Sequence, residues 1–118
     1  MEQCYTPRQQ QFIDLAGTLA DEFARRAAEH DRDGSFPFEN YERMKQTGYL
    51  GLSVPVELGG MGASLLEMCL AQERLAQGCA STALAVTMHI SPIGQQATLW
   101  RAGLRPELAG LLRGAASG

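Results

Sequence analysis

Apolar positions in the first third of the chain recur at three-to-four spacing. Phe12, Leu15/Ala16, Leu19, Phe23 and Ala27 form one stripe, with Asp14, Thr18, Asp21, Glu22, Arg25 and Arg26 among the residues between them. That period is helical and predicts one buried face. Thr6-Pro7-Arg8-Gln9 supplies the start: an N-cap threonine, a proline at the first helical position and a capping-box glutamine. Asp31, Asp33 and Gly34 end this helix in a turn. Pro37 can open a second helix, because it lacks only an N–H that would be orphaned there. Phe38, Tyr41 and Met44 are expected on its inner face, and Gly48 stops it.

Residues 48–64 break the period without becoming polar. Five glycines and Pro55 are interleaved with Tyr49, Leu50, Leu52, Val54, Val56, Leu58 and Met61. A solvated linker would be polar, so this loop has to pack over a core or a pocket. Ser64-Leu65-Leu66-Glu67 is a second capping box. The helix it opens carries Leu65, Leu66, Met68, Cys69, Leu70, Leu75 and Ala76 to Gly78, a wide apolar coverage that predicts contacts on more than one side. Ser81 or Thr82 can cap the next helix, in which Pro92 is expected to impose a kink or break. Helix resumes from Gly94 to Ala102, anchored by Leu99 and Trp100, and a short final helix restarts at Leu104-Arg105-Pro106 and runs through Leu112. The small-residue tail from Gly114 onwards is expected to fray. No segment reads as a strand. The fold class is all-α, a bundle of five to six helices.

Composition narrows the function classes. The 118 residues suit one domain, and 45% apolar content fits an ordered globular chain. A net charge of −3 with scattered basic residues gives no electrostatic reason to expect nucleic acid. The Arg25-Arg26 pair reads as a solvated helix face. Cys4, Cys69 and Cys79 have neither metal-ligand spacing nor a disulfide pattern, which fits reduced thiols in a cytoplasmic protein. Cys69 and Cys79, in apolar helical settings, read as small buried hydrophobes. The N-terminus has no signal-peptide pattern. No Asp, Glu, Lys or Arg occurs between Arg74 and Arg101, but hydroxyls, amides, glycines and a proline interrupt that span. It reads as helices buried by other protein, with no membrane span.

Each candidate motif has a plain structural reading beside it. The glycine loop lacks the lysine of a P-loop and the preceding strand of a dinucleotide fingerprint. Gly59, Gly60 and Gly62 read instead as positions of positive φ and close backbone approach. His89 reads as a hydrogen-bonded core residue, and His30 as lying near a helix end. No histidine pair or cysteine cluster supports a metal, and no G-x-S-x-G elbow supports acyl hydrolysis. Glu73 reads as a solvent-facing residue without a catalytic role. Residues 82–93 are uncharged and rich in small side chains. Ala83 and Ala85 leave room for a ligand, and Thr87, His89 and Ser91 offer hydrogen-bonding groups, so this helix is the candidate pocket wall. An ordinary internal helix is the alternative.

Several motifs occur together in one order: Phe36-Pro37 opening a helix, Leu50-Gly51-Leu52, then Val54-Pro55-Val56-Glu57-Leu58-Gly59-Gly60-Met61-Gly62, and Glu73-Arg74-Leu75-Ala76-Gln77-Gly78-Cys79. In that arrangement the chain resembles the N-terminal helical domain of the acyl-CoA dehydrogenases, most specifically over residues 36–79. In that family this domain and a C-terminal helical domain flank a middle β-domain. FAD lies between the latter two with contributions from a neighbouring subunit. The resemblance implies that Leu84, Thr87, Met88, His89 and Ile90 lie near the acyl pocket. It also implies an acyl-CoA substrate, an electron-transferring flavoprotein as electron acceptor, a homo-oligomeric parent and a place in fatty acid metabolism.

The family's catalytic glutamate and main flavin-binding segments have no counterpart in residues 1–118. The chain is therefore expected to be an N-terminal domain or fragment, with the middle and C-terminal domains absent, no catalytic residue of its own and no FAD bound when alone. Two alternatives stand beside this. One is a flavin monooxygenase or nitroalkane-oxidising enzyme on the same scaffold. The other is a free-standing helical binding or assembly module.

Overall fold

The computed structural model describes residues 4–117. Five helices follow one another: α1 (Pro7–Asp33), α2 (Phe38–Thr47), α3 (Leu65–Gly78), α4 (Ala80–Arg101) and α5 (Ala109–Ser117). Single 3₁₀ turns lie at Tyr49–Gly51, Val56–Leu58 and Pro106–Leu108, and no strand occurs among the described residues.

Both capping boxes form. Thr6 accepts from the Gln9 N–H at 3.1 Å and Gln9 accepts from the Thr6 N–H at 3.0 Å. Ser64 and Glu67 do the same at 3.2 and 2.8 Å. Each cap satisfies N–H groups that the first helical turn leaves orphaned, an effect of about 1 kcal/mol. Gly34 and Gly48 end α1 and α2 in the left-handed conformation, at φ 64° and 82°.

The stripe on α1 is the core face. Phe12, Ala16, Leu19 and Phe23 are buried and pack with Ala71 and Leu75 of α3 and with Val86 and Ile90 of α4. Gly78 lies so close to α1 that a methyl group there would sit 2.0 Å from the Ala20 carbonyl oxygen. Val54, Leu58, Ala97, Leu108 and Leu112 form a second, smaller cluster.

Several local expectations are corrected. Pro37 occupies the N-cap of α2 and the helix begins at Phe38, one residue later than expected. Phe38 consequently faces outward and packs on Phe36, with ring centroids 4.6 Å apart. Asn40 takes the inner position and donates to Thr82 Oγ1 at 2.9 Å. Thr82 is thus a buried residue in the first turn of α4, and Cys79 holds the N-cap in place of Ser81 or Thr82. Helix α4 runs unbroken through Pro92. Pro92 and Met88 are both exposed, so the Met88 carbonyl that loses its N–H partner lies on the solvent side. Leu65 and Leu66 are exposed, as is Cys69, while Cys79 is half-buried. Arg26 is not merely solvated: it pairs with Glu39 at 3.0 Å. Residues Gly114 to Ser117 of the expected frayed tail continue α5, with Ala116 packed closely against Gly51, and Gly118 lies outside the described residues.

Gly78→Ala should lower stability by about 3 kcal/mol, the upper end of typical overpacking costs, since its partner is rigid backbone. Gly110→Ala, with open space around it inside α5, should raise stability by roughly 0.5 to 1 kcal/mol. Urea midpoints of the two variants check both signs. A second expectation concerns acid. Burial raises the pKa of Glu67, but hydrogen bonds from the Ser64 N–H and from Arg8 outweigh it and hold the carboxyl below its ordinary value. A depressed folded-state pKa means full stabilisation above that value, lost as pH falls through the lower one. Arg8→Met should therefore move acid unfolding to higher pH, as read by circular dichroism.

Candidate functional site

Residues 48–64 fold back on themselves. The N–H groups of Met61, Gly62 and Ala63 donate to the carbonyls of Gly51, Val54 and Leu52 at 3.0, 2.8 and 2.9 Å. Gly59 and Gly60 donate to Val56 and Pro55 at 3.0 and 3.1 Å. Gly59 and Gly62 have φ 94° and 66°, and a methyl group on Gly60 would lie 2.3 Å from Val54. The glycines therefore serve close packing, as their spacing suggested. With these five N–H groups consumed internally, the loop is not a phosphate cradle. It does not fit the pyrophosphate of a flavin dinucleotide.

Two bonds fasten this loop to α4. His89 Nε2 lies 2.8 Å from the Leu50 carbonyl oxygen. A carbonyl only accepts, so Nε2 carries the proton. Ser53 Oγ donates to the Ile90 carbonyl at 2.9 Å. His89 is thus half-buried and hydrogen-bonded, as its apolar setting suggested.

The candidate pocket residues divide between the sides of α4. Ile90 is fully buried in the main core. Thr87 is half-buried; its hydroxyl donates to the Ala83 carbonyl at 2.9 Å and accepts from Gln72 Nε2 at 2.6 Å. Gln72 Oε1 in turn accepts from the Tyr49 hydroxyl at 2.7 Å. Leu84 and Met88, one turn apart, are 74% and 77% exposed. None of the five lines the cleft of about 250 Å³ between α3 and the second half of α4.

From Ala80 to Gln95 the exposed positions of α4 are Ala80, Ser81, Leu84, Ala85, Met88, Pro92 and Gln95. None is charged. A helix facing water ordinarily places charge on that side. None of these exposed side chains is titratable. Burial pushes the Tyr49 phenol above its ordinary pKa and keeps it neutral. Glu73 is exposed, and Arg74 turns away to Asp21 at 3.1 Å. The surface can shape and exclude water; it offers no base. Among the described residues no group of three or more His, Cys, Asp or Glu is arranged to hold a metal ion, and no helix is long and apolar enough to cross a membrane.

Sequence reasoning missed Gln72, Tyr49 and Asn40 as a buried polar framework behind α4. Asn40 had one available signal: it stands four residues before Met44, on the inner face of α2. Gln72 follows the buried Ala71 and carried no comparable sign.

An all-helical domain with this folded glycine loop is a known class. The family model "Acyl-CoA dehydrogenase, N-terminal domain" matches residues 6–118. The chain belongs to the acyl-CoA dehydrogenase family. It is 44% identical over 88 residues to the putative acyl-CoA dehydrogenase YdbM of Bacillus subtilis, covering 75% of this chain and 23% of that protein. It superposes on the crystal structure of a nitrososynthase from Micromonospora carbonacea var. africana with a TM-score of 0.85 at 35% identity, covering 97% of this chain and 30% of that one. A KijD3 structure in complex with FMN and dTDP-3-amino-2,3,6-trideoxy-4-keto-3-methyl-D-glucose matches with a TM-score of 0.84 at 34% identity, covering 97% and 29% of the two chains. The chain thus spans less than a third of each of these relatives.

Gln72→Leu should destabilise by about 1 to 3 kcal/mol, because it strands the fully buried Tyr49 hydroxyl. Adding Tyr49→Phe to that variant should restore part of the loss. Urea denaturation of the single and double variants reads this, and a double variant no more stable than Gln72→Leu would contradict the framework.

Proposed function

We propose that residues 1–118 form the N-terminal helical domain of an FAD-dependent acyl-CoA dehydrogenase, and that α4 is one wall of its acyl pocket. The observation that carries this reading is the uncharged exposed stripe of α4 centred on Leu84 and Met88. Burying a methylene is worth about 0.8 kcal/mol, so an acyl tail laid over leucine and methionine gains from each carbon covered. Methionine adapts its shape to such a partner. Leu84 and Met88 contact the tail. Thr87, His89 and Ile90 sit beside the pocket and hold α4 against α3 and the loop.

On this reading the remaining polypeptide supplies a middle β-domain, a C-terminal helical domain, the flavin site and the carboxylate base. The reaction is α,β-dehydrogenation of an acyl-CoA thioester, with electrons leaving to an electron-transferring flavoprotein. The parent is a cytoplasmic homo-oligomer of fatty acid metabolism. The contribution of residues 1–118 is shape and water exclusion, which positions substrate without proton transfer.

A second reading, a flavin monooxygenase resembling the nitrososynthases, draws on the 97% coverage of this chain by that structure. It places a polar sugar nucleotide in the active site, which gains less from an exposed Leu-Met pair.

The test is anaerobic bleaching of the flavin in the full-length protein by acyl-CoAs of graded length. Bleaching is expected, and Leu84→Trp or Met88→Trp should lower kcat/KM for long chains at least about tenfold while sparing short ones. Loss uniform across lengths would remove α4 from the pocket. No bleaching by any acyl-CoA, together with oxygen consumption on an amino-sugar nucleotide, would establish the second reading.

A further inference from the structure

A cleft of about 250 Å³ lies between the first turn of α3 and the second half of α4, with Ser53 at its base. Leu65 and Met68 line one wall. Ser91, Gln95 and Arg101, spread over successive turns of α4, line the other. Leu84 and Met88 are outside it, so the cleft is independent of the acyl-pocket assignment.

The polar groups of this cleft fall into two sets. Some are committed: Ser53 donates to the Ile90 carbonyl, Ser64 accepts from the Glu67 N–H and Thr98 donates to the Gly94 carbonyl. The side chains of Ser91, Gln95 and Arg101 make no hydrogen bond or ion pair among the described residues. Arg101 is the sole formal charge on α4. Glu67 of α3 is occupied by Arg8 and the Ser64 N–H. Three donors without a partner among the described residues therefore line this cleft together with Leu65 and Met68, in a space suited to a small molecule.

We infer that this cleft binds a small amphipathic anion. Its carboxylate or phosphate pairs with Arg101, its short apolar end lies on Leu65 and Met68, and Ser91 and Gln95 form the polar border of the cleft further along α4. A guanidinium offers a planar fork of donors matched to either headgroup.

The experiment is an amide NMR titration of the full 118-residue chain with four probes. Butyrate and butyl phosphate carry both required parts; inorganic phosphate and butanol each carry one. Saturable shifts at Leu65, Met68, Ser91, Gln95 and Arg101 are expected with butyrate or butyl phosphate, and the tighter of the two identifies the headgroup. Either control compound is expected to bind at least tenfold more weakly. Arg101→Met, at an exposed position, should reduce affinity at least tenfold with the remaining spectrum unchanged. Arg113→Met, an exposed arginine on α5, should leave it intact. Absence of saturable shifts in the cleft, equal binding of a control compound, or unchanged affinity in Arg101→Met would each overturn the inference.

Discussion

The backbone contact between α1 and α3 organises the molecule. At Gly78 the two helices meet so closely that no side chain fits, and nearby Arg74 lies over Gly17 with its Nε 3.2 Å from where a methyl group would be. Dispersion and apolar burial both improve as backbones approach, provided that nothing intervenes. Gly78 is also the last residue of α3, and α4 starts two residues later. The contact therefore sets the origin of α4, and with it the side of α4 that is left uncovered. Asn40 and the Cys79 thiol both donate to Thr82 and hold that first turn in place.

The glycine loop then joins two cores that would otherwise be separate. Tyr49, Leu52 and Ala63 belong to the larger cluster, and Val54 and Leu58 to the smaller. Helix α4 crosses both: Val86 and Ile90 pack in the first, Ala97 in the second. Pro92 stands between the two halves. A proline there removes one helical hydrogen bond. The bonds from His89 to Leu50 and from Ser53 to Ile90 hold the adjacent turns to the loop, which is how the helix stays continuous across the gap.

What could be read from the sequence was what local chemistry decides. Thr6/Gln9 and Ser64/Glu67 are complete within four residues, so both caps were visible, as was the Phe12–Phe23 stripe. The loop announced its packing because apolar residues alternate with glycine there. The failures involve partners distant in sequence. Thr82 reads as a cap until Asn40, 42 residues away, is brought to it. Phe38 reads as core until Phe36 offers it a neighbour outside. Pro92 reads as a break until Ser53 and Leu50 are in place. The candidate wall was legible as a helix lacking charge, but the rotation that turns Leu84 and Met88 outward and Ile90 inward comes from packing on α3 and the loop.

The distribution of charge sets α4 apart from the rest of the surface. Arg26–Glu39, Arg43–Glu22 and Arg74–Asp21 all involve α1 or α2. Ion pairs of this exposed kind add little stability, but they mark surfaces at home in water. Between Ala80 and Gln95, helix α4 offers water leucine, methionine, alanine and proline with one serine and one glutamine, and no charge. Such apolar exposure is ordinary for scattered residues and unusual when they align along one helix. The asymmetry follows from no requirement of the bundle's own core, since Leu84 and Met88 contribute nothing to either cluster. Its physical rationale lies in whatever covers α4, and the acyl tail proposed above meets that need.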